Sequence, residues 1–208
     1  MSIPPAQQVP TLNIANVLTV VRILLVPFFI WFLLLDDSAE DGSGGLFRWL
    51  AVAVFAVAIY TDKLDGDLAR SRGLITDFGK IADPIADKLL IGAALILLSI
   101  LGELWWWVTI VILVRELGIT VLRFAVIRYG VMPASRGGKL KTVIQTFAIF
   151  LYLLPLAGVL GDWYSWVAIT VMLVAVAVTV ITGIDYIVQA IRLRHDARSA
   201  GRPGTPTA

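Results

Sequence analysis

Cysteine is absent from this 208-residue chain, and histidine occurs once, as His195. The first absence excludes a disulfide-stapled secreted fold, and the two together leave zinc without its usual ligands. His195 sits near the C-terminus and reads as a solvated side chain rather than a metal ligand. Charge is scarce as well: 15% of residues are charged and 59% hydrophobic, with a mean hydropathy of +0.88. That composition excludes both a water-soluble globular domain and intrinsic disorder. The net charge of +2 says nothing about partners, because in a membrane chain the position of charges matters more than their sum. The opening MSIPPAQQVP contains no Lys or Arg and no apolar run, so it has neither part of a cleavable signal peptide. The first hydrophobic helix is expected to stay.

What the chain does contain is a succession of apolar runs. At about 20 residues per crossing, runs at 13–35, 46–70, 78–101, 104–127, 140–160 and 163–191 predict an all-α integral membrane protein of six transmembrane helices. Residues 1–195 form one transmembrane catalytic domain in this reading, and 196–208 a flexible polar tail. Between the runs, 36–45 is an acidic, glycine-rich turn, 102–103 and 161–162 are very tight turns, and 131–138 is a Pro/Ser/Gly loop. The turns at 36–45, 102–103 and 161–162 hold Asp36, Asp37, Glu40, Asp41, Glu103 and Asp162 and no Lys or Arg. Arg48, just inside the second helix, is the one nearby exception. The other connections and the C-terminus are basic, with Lys63, Arg70, Arg72, Lys80 and Lys88, then Arg128, Arg136, Lys139 and Lys141, then Arg192, Arg194, Arg198 and Arg202. By the positive-inside rule both termini are cytoplasmic, which requires an even number of spans. Trp49, Trp105, Trp106, Trp107, Trp163 and Trp166 lie beside the acidic turns, as an interfacial aromatic belt does. No internal repeat or matched pair of broken helices marks a transporter built from inverted halves.

The informative segment is 61–90, where Asp62, Asp65, Asp67, Asp77, Asp83 and Asp87 interrupt the cytoplasmic ends of two hydrophobic helices. A carboxylate at mid-bilayer costs about 2.5 to 3.5 kcal/mol on insertion scales, so a cluster of them needs compensating charge. Asp62 and Asp65 are spaced i,i+3, and Asp83 and Asp87 i,i+4; each pair projects from one helix face, and the short connection makes the faces neighbours. An all-oxygen ligand set favours a hard cation such as Mg²⁺, Mn²⁺ or Ca²⁺. The alternative is internal ion pairing with Lys63, Arg70, Lys80 or Lys88. Gly66, Ala69 and Gly79 sit within a turn of the aspartates, where small residues permit either a ligand's approach or close helix packing.

The pattern Asp62-x2-Asp65-Gly66-x2-Ala69-Arg70-x8-Gly79-x3-Asp83-x3-Asp87 resembles the complete signature of the CDP-alcohol phosphotransferases, which move a phosphate-linked group from a CDP-alcohol to a second alcohol and release CMP. The resemblance implies that Asp62, Asp65, Asp83 and Asp87 surround the divalent metal, Mg²⁺ or Mn²⁺, with Asp87 also the general base. It implies that Gly66, Ala69 and Gly79 line the nucleotide site and that Arg70 contacts phosphate. Cations bridging a diphosphate neutralise charge on the leaving CMP, and a nearby carboxylate can take the proton of the attacking hydroxyl. A cation transporter or channel using Asp62 to Asp87 as its path is the rival from another class.

The resemblance extends to Asn16-x2-Thr19-x2-Arg22 in the first helix, Arg115-Glu116 and Arg123 in the fourth, and Gly138-Lys139-x-Lys141-Thr142 opening the fifth. Together these resemble the bacterial phosphatidylglycerophosphate synthases within the family, over about residues 10–194. Arg115, Arg123, Lys139 and Lys141 are then expected to form a cationic pocket for the phosphate of a small acceptor. Alternatively, Arg115 pairs with Glu116 or Asp185, and the lysines are positive-inside anchors. The resemblance implies CDP-diacylglycerol as donor, sn-glycerol 3-phosphate as acceptor, a homodimer in the cytoplasmic (inner) membrane with its active site facing the cytoplasm, and no nucleic-acid partner. Inositol phosphate and phosphatidylglycerol are the rival acceptors.

Overall fold

The computed structural model of the protein describes residues 13–36, 45–72, 76–126 and 136–200. Asp37, Glu40, Asp41, Arg128, the first part of the Pro/Ser/Gly loop and the last eight residues lie outside that set. Among the described residues all regular structure is helical: α1 (Ile14–Leu34), α2 (Leu46–Arg72), α3 (Asp77–Ile100), α4 (Trp106–Val126), α5 (Arg136–Leu153), the single turn α6 (Ala157–Leu160) and α7 (Asp162–Ala200).

The burial pattern is inside out. On α1, Asn16, Thr19 and Arg22 are buried while Val17, Val20, Val21, Leu24, Phe28 and Trp31 are exposed, the reverse of a helix on a water-soluble core. On α4 the exposed stripe is Ile110, Val114, Leu117, Val121 and Phe124, a spacing of three or four that makes one side wholly apolar. A bilayer selects this arrangement, because its interior solvates apolar side chains and leaves polar ones to find partners within the protein. Among the described residues two segments, Asn16–Leu34 and Asp162–His195, are long and apolar enough to cross a membrane. Charged residues interrupt the apolar runs of α2 to α5. The six belt tryptophans are exposed.

Several boundaries differ from expectation. With 39 residues, α7 is about 58 Å long at 1.5 Å per residue, against a hydrocarbon core of about 30 Å. It runs nine residues past the expected end at Ile191, so residues 196–200 prolong a helix instead of opening a tail. The expected continuous helix over 140–160 is also corrected. It begins at Arg136, inside the expected loop, and ends at Leu153. Pro155 is the cause, since it has no N–H for the carbonyl of Leu151 and disfavours helical geometry at Leu154. The tight turns at 102–103 and 161–162 are present, each closing on a glycine of positive φ, +76° at Gly102 and +81° at Gly161.

The chain groups into two compact units, Met1–Glu103 with Phe150–Ser165, and Leu104–Ile149 with Trp166–Ala208. In the first, α1 packs against α2 and α3, with the buried rings of Phe29 and Phe55 centred 5.7 Å apart. The carbonyls freed by Pro155 are satisfied in the same unit. Tyr164 Oη donates to the Leu151 carbonyl at 2.7 Å, and Arg48 donates through Nη2 to Tyr152 at 2.9 Å and through Nε to Leu153 at 2.8 Å. Arg48 also grips both carboxylate oxygens of Glu103, at 2.8 and 2.5 Å, and stands 3.7 Å from Asp36. The lone base beside the acidic turns is therefore neutralised by them.

Candidate active site

In the first unit, the polar face of α1 meets the aspartate-bearing ends of α2 and α3. Asn16, Thr19 and Arg22, spaced by three, share one side of α1. Arg22, 1% exposed, places Nη1 2.5 Å from Asp62 Oδ1 and donates through Nη2 to Asp65 Oδ2. Thr19 Oγ1 donates to Asp83 Oδ1 at 2.5 Å. Thr76 caps α3 by accepting from the Gly79 amide at 3.1 Å and donates to Asn16 Oδ1 at 2.9 Å. Gly79 has no room for a side chain: a Cβ would lie 3.0 Å from Asn16 Oδ1, 3.3 Å from Thr76 Oγ1 and 3.7 Å from Asp83 Oδ2. Its smallness serves the close approach of α3 to polar groups of α1.

The expected i,i+3 and i,i+4 pairs thus sit on described helices, with Asp65 buried and Asp62, Asp83 and Asp87 half-buried. Gly66 is half-buried on α2. Ala69 and Arg70 continue α2, as Asp67 does, and Asp77 and Lys80 open α3; the side chains of these five lie outside the described residues. Arg22 of α1, a base from outside the 61–90 segment, pairs with both Asp62 and Asp65; Lys63 is exposed. Among the described residues no three acidic or histidine side chains are gathered closely enough to hold a metal ion. The donor set nevertheless suits one. Its ligands are all oxygen, and among the described residues one buried guanidinium offsets only part of the charge of four carboxylates, the condition a hard divalent cation relieves.

The second unit carries the other cluster. Lys141, 4% exposed, is ion-paired with Glu116 Oε1. Arg115 Nη1 stands 3.5 Å from the same oxygen, while its Nη2 donates to Thr182 Oγ1 at 3.0 Å. Arg123 donates through Nη2 to Tyr186 Oη at 2.7 Å. Both guanidiniums face the Tyr186 ring, Arg123 at 4.9 Å and Arg115 at 5.8 Å from its centroid. Arg115, Arg123 and Lys141 are thereby brought into one network. Lys139, two residues before Lys141 and so on another face of α5, is exposed. Of the two alternatives for Arg115, contact with Glu116 is present, whereas Asp185 accepts from Gln189 at 2.7 Å. Thr182, Gly183 and Tyr186 were not singled out from the sequence. Polar residues within the apolar run of α7 were the available signal.

The sequence matches the CDP-alcohol phosphatidyltransferase family over residues 12–184. It is 53% identical over 180 residues to a probable phosphatidylglycerophosphate synthase of Mycobacterium tuberculosis (strain ATCC 25618 / H37Rv), covering 86% of this chain and 82% of that protein. It is 36% identical over 186 residues to the CDP-diacylglycerol–glycerol-3-phosphate 3-phosphatidyltransferase of Bacillus subtilis (strain 168), covering 84% and 93% of the two chains. The enzyme of the same name from Rickettsia prowazekii (strain Madrid E) is 36% identical over 176 residues, with 84% and 93% covered.

Proposed function

This chain belongs to the CDP-alcohol phosphatidyltransferase family, and from that premise we propose that it transfers the phosphatidyl group of CDP-diacylglycerol to sn-glycerol 3-phosphate, giving phosphatidylglycerol phosphate and CMP. It is a membrane enzyme of phospholipid synthesis. The acceptor is supported by the names of the relatives and by one observation above all, the charge of the α4–α5 network. Arg115, Arg123 and Lys141 against Glu116 leave two positive charges, the complement of a phosphate monoester dianion. Phosphatidylglycerol, a diester with a single charge, matches it less well.

We assign Asp62, Asp65, Asp83 and Asp87 to a divalent cation, Mg²⁺ or Mn²⁺. When bound it supplies neutralising charge to the diphosphate. The chain's own groups do the rest. Thr19 and Arg22 orient Asp83, Asp62 and Asp65; Gly66 and Ala69 leave space for the nucleotide, Gly79 lines the site by letting α3 approach α1, and Arg70 contacts phosphate. Arg115, Arg123 and Lys141 hold the acceptor's phosphate, and Lys139, expected from the sequence to join them, stands on another face of α5 and is not assigned to the pocket. Asp87 accepts the proton of the acceptor's primary hydroxyl as its oxygen bonds to the lipid-side phosphorus; the bond from that phosphorus to the bridging oxygen breaks, and CMP leaves with the oxygen. Residues 1–195 act as one catalytic domain of six spans, with both termini and the active site cytoplasmic, in a homodimer of the cytoplasmic membrane.

The test is release of CMP by purified protein given CDP-diacylglycerol, Mg²⁺ and one acceptor at a time. Release with glycerol 3-phosphate, and not with inositol phosphate or phosphatidylglycerol, is expected. Turnover with inositol phosphate alone would replace the acceptor, and ion flux without CDP-lipid turnover would replace the enzyme.

A further inference from the structure

One face of α7 is built to hold two arginines of α4. Thr182 and Tyr186, one turn apart, are 8% and 2% exposed, and Gly183 lies beside them. The Thr182 hydroxyl donates to the Val178 carbonyl at 2.7 Å, so an oxygen lone pair is left for Arg115 Nη2 at 3.0 Å. At Gly183 a Cβ would come within 3.2 Å of Arg115 Cγ, so the absence of a side chain lets the arginine stem lie close against α7. The Tyr186 ring meets both guanidiniums, and its oxygen accepts from Arg123 at 2.7 Å. Two like charges on long, rotamer-rich side chains separate unless something holds them. A ring face attracts both at once, and the phenol oxygen fixes one of them by a charge-assisted hydrogen bond. Arg115 Nε remains buried without a hydrogen-bond partner among the described residues, a donor whose desolvation an anion would offset.

We propose that Tyr186 is a positioning residue for the acceptor: it holds Arg115 and Arg123 together so that both can engage the dianionic phosphate of the incoming alcohol. This rests on the phosphatidyl-transfer reaction proposed above. Tyr186 takes no part in the bond-making step, so its loss acts on acceptor affinity and not on turnover at saturation.

The experiment compares Tyr186→Phe and Tyr186→Leu with wild type and Arg123→Ala, titrating glycerol 3-phosphate at saturating CDP-diacylglycerol and then the reverse, with inorganic phosphate as a competitor of the acceptor. Tyr186→Phe keeps the ring and loses the oxygen, so the acceptor KM should rise about fivefold. Tyr186→Leu loses both and should raise it about fiftyfold. The inhibition constant for phosphate should rise in parallel, with kcat and the donor KM within about twofold of wild type. An unchanged acceptor KM in both Tyr186 variants, beside a raised one in Arg123→Ala, overturns the role of Tyr186 and leaves the reaction standing. Equal losses in kcat and both KM values, in a Tyr186→Phe protein of unchanged thermal midpoint, also overturn it, since a structural role acts that way. No glycerol-phosphate-dependent CMP release by wild type refutes the reaction itself.

Discussion

Replacing Arg48 by alanine should destabilise the protein without altering its chemistry. Arg48 is 5% exposed and engages two carbonyls at 2.8 and 2.9 Å that Pro155 and the end of α5 leave without helical partners. Each buried acceptor left unsatisfied costs about 1 to 3 kcal/mol. Its ion pair with Glu103 adds less, because that carboxylate is 35% exposed and can rehydrate; a pair of that kind is worth about 0 to 1 kcal/mol. Some relaxation of the chain around Leu154 will recover part of the loss, so the expected cost is about 3 kcal/mol. By the scaling for soluble domains of this size, the thermal midpoint in detergent should fall by roughly 6 to 12 °C.

A comparison among variants identifies where that energy resides. If the carbonyls dominate, Glu103→Ala should cost only about 1 kcal/mol, and the double variant should match Arg48→Ala. Arg48→Lys should fall between, since one ammonium cannot serve two carbonyls and a bidentate carboxylate together. Turnover below the shifted midpoint should be unchanged: Asp62 lies fourteen residues along α2, about 21 Å away at 1.5 Å per residue. The reasoning fails if Arg48→Ala unfolds within about 2 °C of wild type, or if Glu103→Ala is as damaging as Arg48→Ala.

Three further outcomes are expected. Asp83→Asn keeps the size of a side chain held by Thr19 and removes a charged oxygen ligand, so it should abolish CMP release, as should chelation of divalent ions from wild type; full activity after chelation would refute the metal assignment. Asp87→Asn should still bind CDP-diacylglycerol while losing at least about a hundredfold in turnover, since general-base assistance is worth about 10² to 10⁴; a normal kcat would eliminate the base. For topology, a label at Ser43 should react from outside intact cells and labels at Ser135 and Ser199 only after permeabilisation, and external labelling at Ser135 would overturn six spans with both termini inside.

The parts of the molecule legible in the sequence were those fixed by local periodicity. The start of α2, and both ends of α1 and α3 to within a residue or so, follow from where apolar runs begin and stop. The tight turns at Gly102 and Gly161 follow from glycines between such runs. The break in α5 was missed because apolarity continues through Leu154, Leu156 and Val159, although Pro155 carried the signal. At the candidate site, the spacing of Asn16, Thr19 and Arg22 says that they share a face of α1. It does not say that this face meets α2 and α3, and the Arg22–Asp65 contact spans 43 residues of sequence. Tyr186 was harder still, since an aromatic in an apolar helix looks like packing until the two arginines beside it are placed.

Arg22 and Arg48, both buried, and Arg115, half-buried, separate by how completely they are satisfied. The groups of Arg48 are spent on Glu103 and two carbonyls, and none of its nitrogens lacks a partner. Arg22 and Arg115 each keep a buried Nε without a hydrogen-bond partner among the described residues, and Arg22 Nη1 approaches Asp62 without hydrogen-bond alignment. The neutral Gln145 Oε1 and Thr179 Oγ1 share that condition, at the smaller cost of an uncharged group. A cation buried in a membrane is expensive, and leaving one of its donors unmatched adds to the expense. A staple such as Arg48 has no reason to tolerate that and does not. Arg22 lies among the aspartates assigned to the metal and Arg115 in the cluster assigned to the acceptor's phosphate. Under the proposed reaction the unmatched donors lie where the donor's diphosphate and the acceptor's phosphate would bring negative charge, so the same accounting that makes Arg48 a stability residue supports assigning Arg22 and Arg115 to substrate binding.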